Sequence, residues 1–317
     1  MTIEPFDACW QKLDRADVHR REAMQIWNDY YTEHPVQWSL DHEGSGVHIL
    51  RVWRDAPMPA ELAVVTGEWF YSLRSALDYI IWATAVHLHG SIPPPSEGVL
   101  QYPIYDTEKM WNSQLHRLKP LADHHREMLY EMQPFASDSD ANYLGWINRL
   151  SRIDRHRRLS VMTSYLADLR PVLQYPEGCN VEMRWGNRVL GPGKTEVLRL
   201  DLSPWDDSME VKINPRSIID PEIEDWSASP FWRRITYGER FAYMQIFVMG
   251  EVATYEYDCT GDTRKPDMLT DGFKEVSNAR RQPMPVIVEP STPTVWGNPV
   301  QGKPSTKHAF DGGRSQT

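Results

Sequence analysis

Residues 149–159, RLSRIDRHRRL, gather five arginines, one aspartate and one histidine in a chain whose formal net charge is −10. Guanidinium groups hold phosphate through bidentate hydrogen bonds. An imidazole is the side chain that changes its charge near neutral pH and can act there as a base. On a helix, Arg149 and His156 share one flank about 10.5 Å apart along the axis, and Arg152 sits one turn before His156. Arg149, Arg152 and His156 are therefore candidates for binding or catalysis. A charge run of this kind is also what a solvated helix face looks like.

The same helix carries a second pattern. Tyr143, Trp146, Ile147, Leu150, Ile153 and Val161 form an apolar side, and Asp154 and Arg157 fall on that side too. A second long helix, within 59–89, has Phe70, Leu73, Leu77, Ile80, Ile81 and Leu88 on one side. Arg74 borders that side, with Asp78 one turn further on. Desolvated charges are costly unless paired. The two helices are expected to be neighbours, with Arg74, Asp78, Asp154 and Arg157 forming a cross-helix charge network that fixes their packing.

Around these helices the chain reads as follows. Residues 6–33 have helical apolar spacing that stops at Pro35. QWSLDHEGSGVHILRVW, at 37–53, is a hairpin signal centred on Gly44-Ser45-Gly46. Shorter helices fit 107–119 and 121–132, and the basic helix spans about 141–166. After Arg170-Pro171, short alternating runs (VEMRWGNRVL, TEVLRLDL, MEVKINP) read as antiparallel strands. FAYMQIFVMGEVATYEYD, at 241–258, has the β-branched and aromatic content of a strand pair broken near Gly250, with a helical first half as the other reading. DMLTDGFKEVSNARR suits a last helix. Beyond about 282 the composition is that of a disordered tail.

The fold class expected is α+β. An N-terminal helical bundle over 1–168 carries an inserted β-hairpin at about 37–54. An antiparallel β-rich segment over 171–281 ends in a helix, and a disordered C-terminal tail occupies 282–317.

The pieces GEWFYSLRSALDYIIW, LQYPIY, QPF and LSRIDRHRRL, in that order over roughly residues 65–160, resemble a scattered group of uncharacterised bacterial and phage proteins. That resemblance implies relatives and no role. The basic helix also resembles the motif of HEPN domains, which are small, often dimeric helical bundles, many of them metal-independent ribonucleases. Their motif is an arginine, a polar residue, and a histidine after four to six positions, with an acidic or polar residue on an earlier helix. Here six residues separate Arg149 from His156, and Asp78 would be the earlier acid. Leu150 stands where the motif has a polar residue. The resemblance implies RNA as partner, a homodimer, and His156, Arg149, Arg152 and Asp78 as the catalytic set. The other reading is a non-catalytic interaction or structural module.

The charge of −10 argues against a general nucleic-acid coat, so any RNA contact is confined to the basic helix. No Rossmann glycine run, nucleophile elbow or kinase motif is present, and no cofactor is expected. LADHHREMLYE, at 121–131, offers Asp123, His124, His125, Glu127 and Glu131. Without a second ligand set it reads as an exposed amphipathic face, so no metal is expected, and a metal or small-molecule binder is the third reading. Three scattered cysteines (Cys9, Cys179 and Cys259), no signal-peptide pattern and no long apolar run lead to the expectation of a cytoplasmic chain with no membrane partner.

Overall fold

The structure is a computed structural model that describes residues 4–156, 162–191, 193–227, 229 and 235–263. The expected last helix and the tail lie outside these residues. The architecture is α+β. Three long helices, α1 (Asp7–Glu33), α2 (Ala60–His89) and α7 (Tyr237–Thr260), pack on one another. Between them in sequence lie the short helices α3 (Glu108–Gln114) and α4 (Asp123–Glu131), then α5 (Tyr143–His156) and the single turn α6 (Glu224–Ser227).

The centre of the molecule is α2. It is buried on most of its circumference, from Leu62 to Val86, as a helix that is apolar almost all round must be. It contacts α1, α5 and α7. Its stop is local: Gly90 takes the left-handed conformation (φ 61°) and its N–H donates to the Val86 carbonyl.

The expected hairpin is present as β1 (Gln37–Gly44) and β2 (Val47–Trp53). Ser45 and Gly46 both have positive φ, the turn that matches strand twist. Gly46 also has no room for a side chain, because a Cβ there would stand 2.3 Å from the Leu202 carbonyl oxygen. That close approach comes from β7 (Thr195–Ser203), which pairs with β2 and, on its other side, with β5 (Asn180–Trp185). The resulting sheet has the antiparallel order β1-β2-β7-β5. At its end Arg54 lies 4.9 to 5.0 Å from the ring centres of Trp27, Tyr30 and Tyr31, which ties the hairpin to α1.

A second sheet joins β6 (Val189–Leu190), β3 (Met162–Leu169) and β9 (Ser217–Ile223), and a small ladder joins β4 (Val172–Gln174) to β8 (Lys212–Asn214). Helices and sheets share one hydrophobic core, with Leu166, Leu198 and Ile223 in the same cluster as Leu77 and Phe241.

Two readings of the sequence are corrected. The basic helix does not run to 166, because Met162–Leu169 is a strand paired with β9. Residues 241–258 are not a strand pair. They lie inside the 24-residue helix α7, whose buried Phe241, Met244, Val248, Val252 and Tyr255 recur every three or four positions. Its start is fixed by a capping box, in which the Thr236 hydroxyl accepts from the Glu239 N–H while the Glu239 carboxylate accepts from Thr236. Tertiary burial and the cap outweigh the strand propensity of its valines and aromatics.

Candidate functional site

Arg74 and Asp78 stand one turn apart on α2, and they do pair. Arg74 Nη1 donates to Asp78 Oδ1 at 2.7 Å. Their next partner is Tyr102, in the extended LQYPIY segment. Arg74 Nη2 donates to the Tyr102 carbonyl at 2.8 Å, and the Tyr102 N–H donates to Asp78 Oδ1 at 2.9 Å. The ion pair thus clasps both backbone polar groups of one residue.

The segment is buried from Tyr102 to Ile104 and belongs to no sheet, so its backbone groups need side chains as partners. Gln133 of the QPF stretch supplies the rest. It accepts from the Tyr105 N–H and donates to the Pro103 and Leu129 carbonyls, each at 2.9 Å. The Tyr102 hydroxyl then reaches α7, donating to Glu251 at 2.6 Å. Three of the sequence pieces that stood out together are one device for holding an extended strand without a sheet.

Arg74 is 5% exposed, while the side chain of Asp78 is 33% exposed. The side chains of Asp154 and His156, and Arg157 altogether, lie outside the described residues, so the described partners of Arg74 and Asp78 are each other and Tyr102.

The basic helix divides as its sequence suggests. Leu144, Ile147, Leu150 and Ser151 of α5 are buried on the side toward α2. Arg149 and Arg152 are exposed. The guanidinium of Arg149 lies 4.7 Å over the ring of Trp146, which braces it on the surface. Neither arginine forms an ion pair among the described residues. Most described arginines elsewhere do, Arg51 with Asp41 and Glu43 being one example.

Two further groupings were not legible in the sequence. His124 and His125, in the first turn of α4, converge on Asp258 in the last turn of α7. Both Nε2 atoms approach the same oxygen, Asp258 Oδ2, at 2.9 and 2.8 Å. The His125 ring is buried between those of His124 and Tyr255, with centroids 4.0 and 5.8 Å away. Burial, with His124 beside it, lowers the His125 pKa below the usual imidazole value. Burial alone would raise the Asp258 carboxyl, but the hydrogen bond from His124 and the charge of the two histidines hold it below its usual range. Asp258 is 134 residues from His124, and no local pattern links them.

The other grouping is a cavity of about 210 Å³ beside β9 and the start of α7, lined by Asp220, Glu222, Thr236, Arg240 and Tyr165 among others. Glu222 and Arg240 form an ion pair, 1% and 2% exposed. Asp220 accepts from the Tyr237 N–H at the start of α7. With Arg240 committed to Glu222, burial pushes the Asp220 carboxyl up to about 7.

No described helix is long and apolar enough to cross a membrane. All three cysteines are free. The chain matches no family model, no curated protein and no solved structure.

Proposed function

We propose that this protein binds single-stranded RNA through the arginine face of α5 and does so without cleaving it. The observation that carries the reading is the pair of exposed arginines, Arg149 braced on Trp146 and Arg152 one turn away, neither spent on an acid among the described residues. In a chain of net charge −10 such cations are available to phosphate. The non-catalytic part of the reading rests on Asp78. The HEPN-like scheme needs it as the acid beside Arg149 and His156, yet its Oδ1 already holds Arg74 and the Tyr102 N–H. Three free cysteines accord with a reducing, cytoplasmic setting.

The test is fluorescence anisotropy with a labelled single-stranded RNA, in parallel with incubation of that RNA in chelator. The expected result is salt-sensitive binding with the RNA left intact. Cleavage that disappears in His156→Ala would replace this reading by the nuclease one. Absence of binding in low salt would leave a structural or protein-interaction module.

A further inference from the structure

We propose that His124, His125 and Asp258 form a binding site for a divalent transition-metal ion, with zinc as the ion their chemistry fits best. The site is separate from the arginine face of α5 and does not depend on RNA binding. Its three ligand atoms lie within 4.8 Å of one another and come from two helices far apart in sequence. Two imidazoles and one carboxylate suit zinc and its neighbours, whereas magnesium and calcium take oxygen ligands.

The distances leave room for the ion. Ligand bonds of about 2.0–2.2 Å in a tetrahedron put ligand atoms roughly 3.3–3.5 Å apart. The two His–Asp distances, 2.9 and 2.8 Å, need to open by about half an ångström, a small rotation of side chains.

A second observation points the same way. The His125 ring is 1% exposed, and neither of its nitrogens makes a directed hydrogen bond. Its Nε2 lies 2.8 Å from Asp258 Oδ2, but off the hydrogen-bonding direction. A buried imidazole held there by a charge contact alone lacks the directed hydrogen bond a polar group in the interior normally has. An ion held between the rings and the carboxylate supplies it.

The surroundings fit a cation. Asp258 sits at the C-terminal end of the 24-residue helix α7, where unpaired carbonyls leave partial negative charge. The His124 side chain is half exposed, so one side of the ion faces solvent and a water completes four-coordination. The ion would pin the start of α4 to the end of α7. Nδ1 of His125 donates to no acceptor among the described residues, so the support that strengthens a metal-bound histidine is missing there. Affinity in the micromolar rather than nanomolar range is the expectation.

The experiment uses the full chain, stripped with chelator and desalted. Zn²⁺ alone is titrated by calorimetry, and Co²⁺ is added separately because four-coordinate cobalt absorbs visible light. Asp258→Asn and His124→Gln are measured beside the wild type, with circular dichroism to verify folding. Both positions reach solvent, so these variants should fold, whereas a His125 variant would remove a ring from the core.

The expected result is one equivalent of Zn²⁺, a four-coordinate Co²⁺ spectrum, and at least a tenfold loss of affinity in each variant. Zn²⁺ should also raise the thermal midpoint of the wild type and leave that of Asp258→Asn unchanged. No stoichiometric uptake by the wild type would overturn the proposal. Uptake that persists at full strength in both folded variants would also overturn it, by locating the ion on other side chains.

Discussion

Arginine does opposite work in two neighbouring regions of this molecule. On α2, Arg74 is buried and its hydrogen bonds go to Asp78 and to the backbone of Tyr102. On α5, Arg149 and Arg152 are exposed, one of them resting on Trp146. The difference lies in desolvation. A guanidinium taken out of water must find fixed acceptors, and once it has them it is structural. A guanidinium left in water keeps its donors for a ligand and contributes little to stability. The two clusters cannot be told apart by residue type. They are told apart by what the surrounding backbone requires.

The largest effect should come from breaking the clasp. Arg74→Met removes the cation paired with Asp78 and strips the Tyr102 carbonyl of its donor. A loss of roughly 3 kcal/mol is expected, the lower end for a buried pair deprived of one member, because the Asp78 left behind is partly exposed. Urea denaturation measures it, and a loss under 1 kcal/mol would put Arg74 in the same class as the surface arginines.

Asp220 is the counterexample that sharpens the contrast, a half-buried carboxyl beside an arginine, Arg240, that is already engaged with Glu222. Its folded pKa is raised from the ordinary 3.8 to about 7. Between those values the folded chain keeps a proton that the unfolded chain releases, so this group's contribution to stability falls as pH rises from about 4 to 7. Asp220→Asn should keep the hydrogen bond from the Tyr237 N–H and abolish that slope. Relative to the wild type, the variant should gain about 2–4 kcal/mol across the window. Parallel pH profiles of the two proteins would disprove the account of Asp220.

Gln133→Ala comes next. It leaves the Tyr105 N–H and the Pro103 carbonyl without partners inside the protein, which should cost about 1–3 kcal/mol. Because Gln133 and Arg74 serve one extended segment, their combined loss should be less than the sum of the two. Strict additivity in a double-mutant cycle would mean that the segment is not held as a unit.

The sequence made part of this legible. The hairpin could be read from Gly44-Ser45-Gly46, and the end of α2 from Gly90, because turns and caps depend on residues close in sequence. The Arg74–Asp78 pair could also be read, since one helical turn is a local spacing. Its other partner could not. Asp154 and Arg157, the partners expected across the helix interface, lie outside the described side chains, and the backbone of Tyr102, which the pair does hold, has no signature of its own. The helix α7 was hidden for a different reason. Val248, Val252 and the tyrosines around them favour strands locally, and only the packing against α1 and α2 decides otherwise. With α7 read as strands, nothing could bring Asp258 to His124 and His125, and the cluster of three stayed out of sight.

The smallest effect on stability should be at Arg149 and Arg152, and the account turns on what else changes there. The decisive measurement is the salt dependence of single-stranded RNA affinity for the wild type and for the double variant Arg149→Ala, Arg152→Ala. Each phosphate contact on a single strand contributes roughly 0.7 to the slope of log affinity against log salt concentration. Loss of two contacts should therefore lower the slope by about 1.4 and weaken binding, while the thermal midpoint stays within a degree or two of the wild type. An unchanged slope and affinity, or a wild type that does not bind RNA at all, would contradict the claim that the exposed arginines of α5 are there to hold a ligand.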